Sequence, residues 1–254
     1  MRRFLHVANG TCTTRTIEAA GIPGACSIWA DPLYDGSVPG GLNDTELLDV
    51  RMRYLAGPTD LTWAAWAGSD PSLDPANDLR QWRATIERHE SYDELILWFE
   101  HDLFDQLNLI QLLTWIRDYL PAAKPVSLIC IGSFPGRPDF KGLGELTPDE
   151  LASLLETRQP VSDPHYEVAR RAWRAFREPT PKALDELRQD DTSAFAVSRS
   201  SHHSFFPGIS VDNRRTLANR ASPAGAGERR RDRIVDGVPT DARWRGSLLQ
   251  WRTT

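Results

Sequence analysis

An apolar run that breaks off into three ionisable residues is the part of this chain best suited to chemistry: Glu94 to Asp102 reads ELILWFEHD and ends in Glu100, His101 and Asp102. Carboxylate and imidazole at such a place are the groups that move protons, with Glu100 as general base and His101 as acid or orienting group. If extended geometry persists, Glu100 and Asp102 share one face and His101 takes the other, so these three do not form a metal cluster and no metal is expected. Asp102, followed by Asp105 before an apolar helix, also has the pattern of an N-cap with an acid in the first turn, worth ~1 kcal/mol. His6 sits near the end of another apolar run, either as a second candidate acid or orienting group or as a core histidine bonded to a carbonyl.

Asn9, Gly10, Thr11 and Thr13 put amides and hydroxyls at a helix start, a geometry suited to phosphate or carboxylate. The segment has neither the repeated glycines of a dinucleotide fingerprint nor the Gly-Lys-Ser/Thr of a P-loop. Cys12 could act there as a nucleophile, but no base partner is evident, and simple loop packing is the stronger reading. Asp31 ends a second apolar run before Pro32, either contacting a ligand as ribose-binding acids do or capping a turn. Arg51 and Arg53 read as solvated charges on a helix rather than as anion ligands. The ligand implied is a small phosphorylated or nucleotide-like molecule; no cofactor or protein partner is indicated.

The elements that must position these residues are four strands, expected at Arg3–Ala8, Ala25–Ala30, Leu95–Phe99 and Val126–Ile131. Their nearly continuous apolar character predicts a parallel sheet covered on both faces, and hence a Rossmann-like α/β fold. Helices are expected over 13–20, 45–55, 61–67, 79–90 and 103–119, with residues 69–77 as a turn-rich connector. The helix over 103–119 is apolar round most of its circumference, with Asp105, Asn108, Gln111 and Thr114 as a polar strip at i+3 spacing. A Gly/Pro-rich stretch after Ile131 closes this first domain (1–146). A capping box at Thr147 to Glu150 opens a helical unit (147–198) with an apolar face at Val168, Ala172, Ala175 and Phe176.

Composition limits the function classes. The net charge of −5 is a sum of opposites: residues 199–254 carry 11 Arg and 5 acids, whereas residues 1–198 carry 19 basic and 30 acidic groups. An acidic body disfavours nucleic acid, since Lys and Arg drive phosphate-backbone contact. No window is long and apolar enough for a bilayer span, the opening residues lead straight into a strand, and the three cysteines lack paired or metal-type spacing. A cytoplasmic protein with free thiols and no membrane partner is expected. The region 199–254 reads as an irregular basic tail; from Arg214 onward, codons can be chosen that, shifted by one nucleotide, read as a capped Leu/Ala-rich helix. A frameshift is therefore expected, and the Arg excess there is not used as a sign of nucleic-acid binding.

The motifs HVANG (6–10), GIPGACSIWADPLYDGSVPGGL (21–42), LWFEHDLFDQLNLIQLL (97–113) and AWRAF (172–176) resemble the bacterial family catalogued as domain of unknown function 1835, over roughly residues 3–198. Thr11 and Cys12 depart from the Asp and Ser usual in that family after Asn-Gly. The resemblance implies a helical C-terminal partner, here incomplete, and no activity. The residues themselves suggest transferase or hydrolase chemistry at the C-terminal strand ends, against a noncatalytic interaction or regulatory module in which they only cap helices and fix turns.

Overall fold

The computed structural model describes residues 2–56, 74–120, 124–180 and 182–187. Strands β1 (Phe4–Ala8), β2 (Ala25–Ile28), β3 (Glu94–Glu100), β4 (Val126–Ile131) and β5 (Gln159–Pro160) form one sheet in the order β2-β1-β3-β4-β5. The first four pair parallel, and β5 joins β4 antiparallel. The fold is α/β. All seven residues of β3 are buried, which is why its sequence is an apolar run without alternation.

Apolar side chains divide between the two faces. Leu5, Val7, Leu95, Leu97 and Phe99 pack with helix α4 (Leu103–Tyr119) and helix α6 (Asp163–Phe176). Ile96 and Trp98 pack with helix α1 (Thr11–Ala19), helix α5 (Pro148–Ser153) and Leu143. Val168, Ala169, Ala172 and Trp173 of α6 are buried in the first of these clusters, so the face expected to dock does so against α4. Helices α2 (Asp44–Leu55) and α3 (Pro75–Glu87) join β2 to β3, and α7 (Lys182–Leu187) follows α6. Among the described residues no helix is long and apolar enough to cross a membrane.

Local chemistry sets the ends. Gly21, at φ +65°, closes α1 while the amide of Ile22 reaches back to Ile17. Asn43 with Glu46, and Thr147 with Glu150, form reciprocal capping boxes on α2 and α5. Helix α3 begins at Pro75, earlier than the expected 79, because Asp74 caps it and Pro75 suits the first helical position. The expected helix over 61–67 and the tail 199–254, with its frameshift, lie outside the described residues.

Candidate functional site

At the carboxyl edge the sheet turns two ways: from β1 the chain goes to β2 on one side, and β3 lies on the other. Open α/β sheets form their ligand crevices at such a point. Asn9 follows β1 and Glu100 ends β3, so both flank it. Helix α4 starts there, and its polar strip fastens the loops together. Asp105 accepts the amide of Glu100 at 2.8 Å through Oδ1 and the side-chain amide of Asn9 through Oδ2. One turn on, Asn108 accepts from the backbone N–H of Asp31 at 2.8 Å and donates to its carbonyl at 3.0 Å. Gln111 then accepts the Trp29 indole at 2.9 Å.

The centre is a triad of carboxyls from Glu100, Asp102 and Asp105, each with an oxygen within 4.8 Å of the others. Glu100 Oε1 accepts the Leu143 amide at 2.7 Å, and Asp102 caps α4 by accepting the Asp105 amide at 2.8 Å. Burial, then the neighbouring Asp102 charge, pushes Glu100 up to about 8. Burial also raises Asp102, and it raises Asp105 well above the usual carboxylate range with help from Asp102 and Glu100. The cluster therefore holds protons that isolated carboxyls would release, and it titrates as a unit. Its spacing would also suit a divalent cation, with one oxygen from each acid. Asp105, fully buried with both oxygens engaged, would have to exchange hydrogen bonds for the metal.

Other expected site residues lie elsewhere. His6 is fully buried on the α1 side of the sheet: its Nδ1 accepts the Trp98 indole at 3.1 Å and its Nε2 faces the Pro23 carbonyl at 3.4 Å. Burial lowers its basicity, and it stands as a neutral core histidine away from the triad. Asp31 ends at the right edge of the sheet, but its carboxylate is buried in a 2.6 Å ion pair with Arg51. Arg51, 1 % exposed, also bonds the carbonyls of Pro32, Asp35 and Ser37, so the reading of it as a solvated charge is overturned. Arg53 is exposed, as expected.

His101 packs against Gly132, just past the end of β4. A Cβ on Gly132 would lie 3.0 Å from His101 Nδ1, a buried atom without a hydrogen-bond partner among the described residues. The anion cradle is partly occupied. Asn9 is committed to Asp105, Gly10 caps α1 without a side-chain bond, Thr11 is half-buried and Thr13 is buried. The short turn Leu143–Glu145 lies over the start of α1, where a Cβ on Gly144 would come within 2.9 Å of Cys12 Cβ. No disulfide joins Cys12, Cys26 and Cys130. Burial drives Cys26 up to about 11 and Cys130 to about 12, so neither supplies a thiolate near neutrality.

Sequence reasoning placed Asp105 in a helical first turn and missed it as the centre of the site. Its signal was present: an acid on a helix otherwise apolar nearly all round must find partners or stay protonated. The covering turn at Gly142 to Glu145 was read only as a loop. No family model matches the chain, and neither a curated protein nor a solved structure matches it.

Proposed function

We propose that this is a cytoplasmic, Rossmann-like enzyme or sensor whose crevice, at the carboxyl ends of β1 and β3, binds a small phosphorylated or nucleotide-like ligand. Glu100 exchanges a proton with that ligand. The observation that carries the reading is the meeting of three carboxyls, two of them buried and that of Asp102 half-buried, with the Asn9 turn and the start of α1. Acids crowded out of water and against one another keep a proton near neutral pH, which suits a general acid or base. Transferase or hydrolase chemistry fits such a group, with the amides at the start of α1 facing the anionic part of the ligand. Motif resemblance to domain of unknown function 1835 belongs to the same proposal and adds no activity to it.

A noncatalytic module is the competing reading, and one observation favours it: Leu143 already satisfies Glu100 Oε1, and Gly142 packs directly on that carboxyl. Calorimetry separates the two. Ribose 5-phosphate should bind the full chain more tightly than ribose, with a proton uptake or release, seen as buffer-dependent heat, that Glu100→Gln abolishes. Equal binding of the two sugars, or binding indifferent to Glu100→Gln, would leave the module reading standing. Mass spectrometry of small molecules that copurify with the chain would identify the natural ligand.

A further inference from the structure

At the far end of α4 from the triad, a cavity of about 660 Å³ opens between the first turn of α2, the carboxyl end of α3 with the short turn His89–Ser91 that follows it, and the last turn of α4. Its charge is one-sided: Asp44, Glu46, Glu87 and Glu90 line it, and no arginine or lysine does. Asp44 is already paired with Arg83, whose Nη1 donates to both carboxyl oxygens at 2.6 Å, and Glu46 Oε2 accepts the Asn43 amide at 2.9 Å. The carboxyls of Glu87 and Glu90 are exposed and meet no partner among the described residues. Helices α3 and α4 both bring their electronegative carboxyl ends to this wall, whereas the amino end of α2 is met by its own Asp44 and Glu46.

The same wall holds an orphaned acceptor. His89, 3 % exposed, lines the cavity, and its Nδ1 lies 3.2 Å from the Glu87 carbonyl. A carbonyl only accepts, so Nδ1 carries the hydrogen, and Nε2 of the neutral ring is a bare lone pair. That atom is buried with no hydrogen-bond partner among the described residues, which costs free energy until a donor arrives. A single metal ion is not the match, since among the described residues only the triad gathers three acid or imidazole ligand atoms within reach of one ion. Negative charge here is spread along a wall that also carries Leu120 and Tyr119, whose side chain is 49 % exposed. Such a surface fits methylenes between separated N–H-bearing cations, with the Tyr119 ring as a further cation contact.

We propose that this cavity binds a polyamine, an extended alkyl chain carrying two or more ammonium groups. One ammonium group donates to His89 Nε2, and others face Glu87 and Glu90. The site lies at the opposite end of α4 from the carboxyl triad and does not depend on the function proposed there.

Titration calorimetry of the full chain with spermidine at physiological salt, where diffuse attraction between exposed charges is largely screened, tests it. Spermidine should bind saturably at one site and at least about tenfold more tightly than n-butylamine, which brings a single ammonium group. The double variant Glu87→Gln with Glu90→Gln should weaken spermidine by about fivefold. His89→Asn, which keeps a donor for the Glu87 carbonyl and removes the Nε2 acceptor, should weaken it about as much. Glu156→Gln, the loss of an exposed acid outside the cavity, should change nothing, and neither should Glu100→Gln. The proposal is overturned if spermidine gives no saturable binding, or if either the double variant or a folded His89→Asn binds it as tightly as the wild type. It is equally overturned if Glu156→Gln weakens binding as much as the double variant, which would mean general attraction to an acidic surface, or if Glu100→Gln abolishes it, which would place the cation at the triad. Should His89→Asn fail to fold, the double variant, confined to exposed side chains, decides alone.

Discussion

Buried acids sit at the carboxyl ends of β2 and β3, on either side of β1, and they are treated in opposite ways. Asp31 meets the guanidinium of Arg51, which also ties down three loop carbonyls. Glu100, Asp102 and Asp105 meet one another, with amides as their nearest relief. The first arrangement pairs carboxyl with guanidinium and fixes the loop after β2. The second cannot hold three charges in so little space, so it keeps protons instead. Buried acids such as Asp31 and Asp105 thus yield architecture in one place and proton chemistry in the other, and the partner decides which.

The largest effect expected from breaking this contrast is at Arg51. Arg51→Ala would strand a buried carboxylate and cost about 3–5 kcal/mol in urea unfolding at pH 7. Glu100→Gln should cost less than about 1 kcal/mol, because it replaces a group that is largely protonated already. If the two variants lose equal stability, the distinction between the sites fails.

Next comes pH. Glu100 retains its proton in the folded chain up to about 8 and loses it near the ordinary carboxyl value when unfolded. Between those values the native state holds the extra proton, so stability falls as pH rises, by up to about 1.4 kcal/mol per pH unit, and levels off above the folded value. Unfolding of Glu100→Gln across pH 5 to 9 should show a flatter slope; an unchanged slope would assign the protons elsewhere. Glu150, held down to about 2 by Arg137, has the opposite sign, and its contribution is lost as pH falls through that value.

A smaller effect tests the cover over the triad. A Cβ on Gly142 would stand 2.7 Å from Glu100 Oε1, so Gly142→Ala should cost about 1–3 kcal/mol by forcing a packed turn aside. In the double variant with Glu100→Ala much of that loss should disappear. Additive losses would show that the turn does not bear on the carboxyl.

Asp102 gives the smallest and most discriminating change. Asp102→Ala should lose about 1 kcal/mol with the cap of α4, whereas Asp102→Asn keeps a cap and relieves the crowding of charge. The Asn variant should therefore equal or exceed the wild type in melting temperature at pH 8, and a fall as large as that of the Ala variant would contradict the crowding.

The sheet was legible because β3 is buried throughout and β1 nearly so, and because β1, β3 and β4 carry largely apolar runs, interrupted within by His6 in β1 and Ser127 in β4. The helix bounds at Leu103 and Tyr119 were legible because Asp102 caps one end and Pro121 follows the other. What escaped was pairing over distance. Nothing local to Arg51 announces an acid 20 residues earlier, and nothing near Asp105 announces Asn9, 96 residues away. The polar strip on α4 was visible as a pattern, but its partners depended on which loops the strand order brings beneath it. Strand β5 was invisible for another reason: two residues, Gln159 and Pro160, show no alternation to read.

That short strand bears on how the chain behaves in company. An open sheet margin is a template on which other chains can add, and long flat margins invite fibres. Here the margin beyond β4 is occupied by a segment only two residues long that runs the opposite way, and Pro160 has no N–H to offer an incoming strand. Replacing Pro160 with a β-branched residue would lengthen the ladder on offer, turning a blunt end of the sheet into a site where concentrated protein could grow into aggregates.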